Sequence, residues 1–183
     1  MKHTSHRLSY LLAFLPAVII AGILGSVLQT QFNILAISAI GPAIDLQTRL
    51  DSTWYDLLHF GPLFTAMVAV AFIVALPVAH LIVRIQRRQF IAWCAVAGAV
   101  SLWAAFLVAN HFAPMPTLIA ATRTTVGTLF MTSSGLVGGF VYAVLSRHFR
   151  KRLIRKLRAQ HHQRIQDNVT SAKPTKTDSE SRS

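Results

Sequence analysis

The sequence predicts an all-α integral membrane protein, a bundle of four transmembrane helices. Of the 183 residues, 53% are apolar and only 13% are charged, whereas soluble domains carry about 25% charged residues. The mean hydropathy is +0.49, and the apolar residues form long uncharged blocks instead of the periodic stripes of a soluble core. The formal net charge is +12, and the basic residues lie outside these blocks. Together these observations indicate that the bilayer takes the place of a hydrophobic core.

Four segments are long and apolar enough to be transmembrane helices. A spanning helix needs about 20 mostly apolar residues, and the four segments contain no Asp, Glu, Lys or Arg. We expect the first segment to be a retained helix, because it is longer than the apolar part of a secretory signal and lacks a clear cleavage site. Residues 1–146 are therefore predicted to form the transmembrane domain, with spans at about 8–28, 60–83, 90–111 and 124–146.

The distribution of positive charge predicts the orientation of these helices. All but two of the 18 Lys and Arg residues fall at the N-terminus, in the connection 84–89 or after Ser146. The two exceptions, Arg49 and Arg123, lie on the opposite side. Because basic residues are retained in the cytoplasm, we expect a multi-pass protein of the cell (inner) membrane with both termini cytoplasmic. Four spans, an even number, agree with this orientation.

The first outer, periplasmic connection is long enough to have structure of its own. An apolar stripe with helical spacing predicts an amphipathic segment near Asp45–Leu58. This stripe is formed by Leu46, Leu50, Trp54 and Leu57. The apolar residues 34–42 before it are too short to cross the bilayer, so we expect them either at the membrane surface or in a re-entrant segment.

After Ser146 the sequence changes from mostly apolar to strongly basic and polar. We predict a basic amphipathic cytoplasmic helix over residues 147–165 and a disordered polar tail over residues 166–183. A basic side chain near an anionic leaflet contributes up to about 1 kcal/mol to the free energy of membrane association. The basic residues predicted to contact lipid are Arg147, Arg150, Lys151, Arg152, Arg155, Lys156 and Arg158. Nucleic acid is not favoured as a partner, because Phe149 is the one aromatic residue available in this segment for stacking on bases.

Four histidines near the ends of the predicted spans are candidate haem ligands. We expect His59 and His111 at the outer surface and His80 and His148 at the inner surface. Two histidines at one depth on facing helices are what bis-imidazole ligation of haem b requires. Histidine is also ordinary at a membrane interface because its ring is amphipathic. We therefore predict no resident cofactor, and a haem- or quinone-associated electron-transfer subunit is an alternative function.

Arg123, at the outer start of the fourth span, is the one basic residue close to an uncharged core. Asp51 and Asp56 of the first outer connection are its candidate ion-pair partners. The alternatives are a structural ion pair, an arginine that snorkels to the surface, or an outward-facing site for a small ion. With the hydroxyl groups of Thr128 and Thr132 on one face of the fourth span, a small transporter is a further alternative.

Enzymatic activity is not predicted, because no catalytic, cofactor or metal motif is present. A single cysteine, Cys94, excludes intramolecular disulfides and thiolate clusters. We expect a non-enzymatic membrane component that acts through helix packing, either in a homo-oligomer or with a membrane partner. Small residues that allow close helix approach recur in every span, and they are Ala17, Ala21, Gly25, Ala75, Ala79, Ala97, Ser101, Ala105, Gly135 and Gly139.

Overall fold

The computed structural model describes residues 2–41, 44–85, 89–112 and 120–171. Within these ranges, the side chains of residues 2–9, 85, 120, 123, 157, 161, 167 and 169–171 lie outside the description. The described chain is helical, with α1 at Lys2–Ser38, α2 at Leu46–Ile85, α3 at Phe90–Phe112, a short 3-10 helix at Ala120–Arg123 and α4 at Thr125–Ser171.

Four of these helices are long and apolar enough to cross a membrane, as the sequence predicts. Each includes one predicted span. Three of them also extend well beyond it, over Tyr10–Ser38, Leu46–Arg84 and Thr125–Gln166. Their length and composition fit a multi-pass membrane protein.

The segments predicted outside the spans are continuous with the long helices. The apolar segment at 34–42 begins as the last turn of α1, which ends at Ser38, while residues 42–43 lie outside the described part of the chain. The predicted amphipathic segment is the first part of α2. The predicted basic helix at 147–165 is the continuation of α4, which runs to Ser171 and so includes the first residues of the predicted disordered tail. No Gly or Pro interrupts this continuation, and its Leu, Arg, Lys and Gln residues are strong helix formers. Residues 172–183 of that tail lie outside the described part of the chain.

The four helices form a bundle in which sequential neighbours are antiparallel. Helix α1 packs against α2 and α4, and α3 packs against the same two helices. Phe64 and Phe72 of α2, Leu102 and Phe106 of α3, and Met131 of α4 are almost completely buried between them. The rings of Phe64 and Phe106 stack with their centroids 6.2 Å apart. These side chains form the centre of the described core.

Glycines bring α3 and α4 into backbone contact. A Cβ atom placed on Gly98 would overlap the carbonyl oxygen of Gly135, and one placed on Gly139 would overlap the carbonyl oxygen of Cys94. The sequence correctly indicates Gly135 and Gly139 as packing residues. On α3, however, the close contact is made by Gly98 and not by the stripe of Ala97, Ser101 and Ala105, which lines a groove beside α2.

The bundle has two chemically different ends. We call the end where Tyr10, His80, Phe90 and Ser146 lie the basic end, and the end where Thr30, Asp56 and Ala121 lie the polar end. Between them, large apolar side chains on every long helix are exposed, among them Leu15, Val70, Val100 and Leu129. In a bilayer, this exposed apolar belt is solvated by lipid chains.

Candidate functional site

All four long helices contribute to a cavity of about 500 Å³ at the basic end. It is lined by Tyr10 of α1, by His80, Val83 and Arg84 of α2, by Phe90 of α3, and by Ser146, Arg147 and Arg150 of α4. On α2, His80 and Arg84 are four residues apart and so lie on one helix face, and Ser146 and Arg150 do the same on α4. The cavity therefore exists because two helix faces with polar side chains meet where α1 and α3 each supply an aromatic ring.

His80 is held in one orientation and has one free ring nitrogen. Its Nδ1 lies 2.8 Å from the carbonyl oxygen of Leu76, one turn earlier in α2. A carbonyl can only accept, so Nδ1 carries the proton and donates it. In a neutral imidazole, the lone pair is then on Nε2. This Nε2 atom is buried and has no hydrogen-bond partner among the described residues.

Three aromatic rings surround the His80 imidazole. The ring centroids of Tyr10, Phe90 and Tyr142 lie 4.7, 5.4 and 5.7 Å from it, and all three meet it edge to face. Such T-shaped pairs are the favoured geometry for aromatic side chains. The rings come from three different helices, so His80 connects α2 with α1, α3 and α4 at this depth.

The charge of the cavity is positive. Arg84, Arg147 and Arg150 line it, and no carboxylate is present among the described lining residues. The guanidinium of Arg147 lies 5.2 Å from the centroid of the Phe90 ring, within the range of a cation–π interaction. Arg147 is half-buried, whereas Arg84 and Arg150 are exposed. A site with this lining attracts anions, and guanidinium groups match phosphate and carboxylate oxygens geometrically.

The four candidate haem ligands are found in separate environments. His59 is exposed, stacks on Tyr55 and shares a hydrogen bond with its carbonyl. His111 and His148 are exposed next to the rings of Phe112 and Phe149. Of the four, His80 lines the cavity at the basic end.

The candidate ion pair lies partly outside the described residues, because the side chain of Arg123 is not described. Its two candidate partners have contacts of their own. Asp51 accepts a hydrogen bond from Gln47, and Asp56 accepts one of 2.8 Å from the hydroxyl of Thr30 on α1. The pairing of Arg123 with either carboxylate stays a prediction.

The basic residues of α4 fall into two groups. Arg147 and Arg150 line the cavity at the basic end. The others predicted to contact lipid are exposed on the extension of α4, and they are Lys151, Arg152, Arg155, Lys156 and Arg158. The cavity thus contains the basic residues closest to the apolar part of α4.

The threonines of α4 use their hydroxyls within the helix. Thr128 donates to the carbonyl of Thr124 at 3.0 Å, and Thr132 donates to the carbonyl of Thr128 at 2.7 Å. Each hydroxyl proton is therefore used by a backbone carbonyl one turn earlier. No observation on these residues favours a polar pathway along α4.

A second concave surface lies between α2 and α3. This groove has a volume of about 790 Å³, and small apolar side chains such as Ala71, Ala75 and Ala104 form most of its wall. Trp93 also lines it, and its Nε1 atom is buried without a hydrogen-bond partner among the described residues. A surface of this composition is well suited to apolar chains, and no charged side chain is present among its described lining residues.

The comparisons with known proteins identify no relative. No family model matches the chain, and no curated protein or solved structure shows a similarity to it.

Proposed function

We propose that this chain is a non-enzymatic component of the cell membrane that binds the phosphate of an anionic lipid in the cavity at its basic end. In this proposal, both termini and the basic end lie on the cytoplasmic side. The cavity is then at the depth where the lipid headgroups of the inner leaflet meet the protein. The lipid would contact all four helices at once.

The observation that most supports this proposal is the composition of the cavity wall. Three arginines line the cavity, and no carboxylate is present among its described lining residues. A half-buried guanidinium over the Phe90 ring is oriented before any ligand arrives, and a preoriented group loses less side-chain entropy on binding. Arginine also binds phosphate through two parallel N–H donors, which a lysine cannot do.

The charge distribution supports the orientation. Basic residues near the ends of spans are kept in the cytoplasm, and Arg84, Arg147 and Arg150 all lie at the basic end. The cytoplasmic leaflet carries the anionic lipids that attract such residues. The exposed basic residues at 151–158 on the extension of α4 would add further contacts with the same leaflet.

The experiment measures the thermal stability of the purified protein in detergent with added lipid. We expect phosphatidylglycerol to raise the Tm and phosphatidylcholine at the same concentration to leave it nearly unchanged, because a ligand that binds the folded state stabilises it. At about 100 times the Kd, this effect is roughly 2.7 kcal/mol. Inorganic phosphate is the third addition, since an equal effect would identify a free phosphate as the ligand.

Matched charge variants test whether the cavity is responsible. Replacing both Arg84 and Arg147 with Gln removes two charges from the cavity, whereas replacing both Arg152 and Arg155 with Gln removes two from the exposed extension. We expect the first pair to lose the effect of phosphatidylglycerol and the second to keep most of it. Equal losses in both variants would show that general surface charge is sufficient and would refute the cavity as the site.

A second candidate function is electron transfer with a haem or a quinone, and His80 is the observation that favours it. A histidine whose Nδ1 donates to a carbonyl has the orientation of a metal-ligating imidazole, with Nε2 free to coordinate. The same nitrogen would accept a hydrogen bond from a quinol hydroxyl. Purification from haem-replete cells tests the haem version, because a bound haem gives a Soret band that His80→Ala should abolish. Extraction and chromatography of co-purified quinone test the other version.

A further inference from the structure

We infer that the polar end holds a binding site for a monovalent cation, with sodium as the expected ion, between α1 and α2. The site is formed by the hydroxyls of Ser26 and Thr30 and by the carboxylate and backbone carbonyl of Asp56. It lies at the opposite end of the bundle from the cationic cavity, so neither inference depends on the other.

Ser26 provides the first evidence, because its hydroxyl is buried without a partner. The residue has 0% exposure, and its Oγ atom has no hydrogen-bond partner in the described part of the chain. The other buried serines of the described chain donate their hydroxyl protons to the backbone. Ser134 and Ser146, equally inaccessible, donate to the carbonyls three residues earlier. A buried hydroxyl without a partner costs about 1–3 kcal/mol, so a group that satisfies Ser26 is expected.

Thr30 links the turn of α1 that contains Ser26 to a carboxylate on α2. Thr30, one turn after Ser26 on α1, is 1% exposed, and its Oγ1 lies 2.8 Å from the Oδ2 atom of Asp56 on α2. The same Oγ1 lies 3.0 Å from the carbonyl of Ser26. A carboxylate offers about four lone-pair sites, so one bond from Thr30 leaves Asp56 with oxygen lone pairs for another ligand.

Gly61 of α2 lies opposite Ser26. A Cβ atom at this position would lie 3.7 Å from Ser26 Oγ, 3.7 Å from Leu57 Cδ1 and 3.8 Å from the backbone carbonyl oxygen of Asp56. Gly61 itself is buried. Because glycine has no side chain, the room that a methyl group would take up here is left next to one oxygen atom from each helix. Asp56 is only half-buried, which gives an ion a route from the aqueous side.

The ligand set determines the class of ion. All the donors are oxygen atoms, which hard cations prefer, and one carboxylate balances one positive charge. Calcium sites usually use several carboxylates. Among the described residues, no group of three His, Cys, Asp or Glu side chains could hold a transition metal. A backbone carbonyl has two lone pairs, so the Asp56 carbonyl can accept its helical hydrogen bond and still contact an ion, and a sodium ion fits this combination.

The experiment compares the Tm of the full-length protein in sodium chloride and in choline chloride at equal ionic strength. We expect a saturable rise in Tm that depends on sodium. Ser26→Ala removes one ligand and should raise the half-saturating sodium concentration about tenfold, which corresponds to one lost ligand contact of ordinary strength. Asp56→Asn should abolish the response, and Asp51→Asn, which removes the same charge from an exposed position on α2, should not.

Gly61→Ala keeps the test decisive if Asp56→Asn does not fold. Its methyl group would make only ordinary van der Waals contacts at 3.7 Å, so we expect a folded protein in which the sodium response is lost. A wild-type Tm that is equal in sodium and choline would overturn the inference. So would a sodium response that survives in both Gly61→Ala and Ser26→Ala, since a surface ion or a buried water would then be the explanation.

Discussion

The position of His80 can be predicted from the sequence, but its surroundings cannot. Its position near the end of a span makes it a candidate ligand, and the structure places it in the cavity at the basic end. The sequence gives no indication of its three aromatic neighbours, because Tyr10, Phe90 and Tyr142 come from three other helices. Contacts between helices far apart in sequence depend on helix rotation, which local patterns do not specify.

The ring of His80 is expected to stabilise the bundle as well as to form the site. His80→Ala removes three edge-to-face contacts, each worth about 0.5–1.5 kcal/mol, together with the hydrogen bond to Leu76. We expect a loss of about 1–3 kcal/mol in the free energy of unfolding. His80→Phe keeps the ring contacts and should lose less. Unfolding titrations in mixed micelles measure both, and equal losses would contradict the role of the ring.

Asp45 caps the start of α2 and makes that helix end sensitive to pH. Its Oδ1 lies 3.4 Å from the backbone N of Thr48. Hydrogen bonds from Thr48 hold the pKa of this carboxyl below its usual value of 3.8. A lowered pKa means that the charged form is favoured in the folded state. The cap is therefore fully effective above pH 3.8 and is lost as the pH falls through the lowered value.

Hydrogen exchange of the first turn of α2 tests this cap. We expect Asp45→Ala to speed exchange at residues 46–51 at neutral pH, whereas Asp45→Asn, which can still accept a hydrogen bond, should change it little. Below the lowered pKa, the wild-type protein should lose this protection and the Asn variant should keep it. Identical exchange in all three proteins at neutral pH would show that Asp45 has no capping role.

At the level of helices, the sequence predicts their number and type but not their full extent. Four uncharged blocks identify four helices, which the structure confirms. The continuity of α2 and α4 beyond the apolar blocks is not predicted, because hydropathy detects burial in lipid and is insensitive to a helix that continues into water. The absence of Gly and Pro between Ser146 and Ser171 is the signal that was available.

The cavity at the basic end and the proposed cation site could likewise be predicted only in part from the sequence. Arg147 and Arg150 are predicted as lipid contacts, yet their position in a cavity with Tyr10 and Phe90 appears only when the helices are assembled. Ser26, Thr30 and Gly61 are not singled out by the sequence, since a serine in an apolar helix usually donates to its own backbone. Only the structure shows that the Ser26 hydroxyl has no hydrogen-bond partner among the described residues.

The contact between α3 and α4 should tolerate no side chain at Gly98. Gly98→Ala would force its Cβ into the carbonyl of Gly135, and overpacking of this kind costs about 1–3 kcal/mol. Ala92→Val adds carbon atoms to the same helix at an exposed position and serves as the control. The Tm of each variant in detergent provides the comparison. If Gly98→Ala is no less stable than the control, the two helices do not approach each other through this glycine.

At the level of the whole molecule, the charge asymmetry has two roles. Arg84, Arg147 and Arg150 contribute to the excess of positive charge that predicts the orientation, and they also line the cavity. A net charge of +12 would be compatible with binding to nucleic acid in a soluble protein. In this chain, the position of the charges at one end of an apolar bundle favours lipid headgroups instead.

The orientation is tested with single cysteines introduced into a chain in which Cys94, which is buried, is replaced by Ala. Gln47→Cys at the polar end should react with a membrane-impermeant thiol reagent on intact cells. Gln160→Cys on the extension of α4 should react only after the cells are opened, because both termini are proposed to be cytoplasmic. The opposite labelling pattern would reverse the orientation and place the cationic cavity in the outer leaflet.

The most direct measurement of lipid binding in the cavity is native mass spectrometry of the protein released from detergent. With phosphatidylglycerol and phosphatidylcholine present in equal amounts, we expect one retained phosphatidylglycerol molecule per chain. This adduct should disappear when Arg84 and Arg147 are both replaced with Gln, and it should persist when Arg152 and Arg155 are replaced. Retention of both lipids without preference, or retention of phosphatidylglycerol by the cavity variant, would contradict a headgroup site at the basic end.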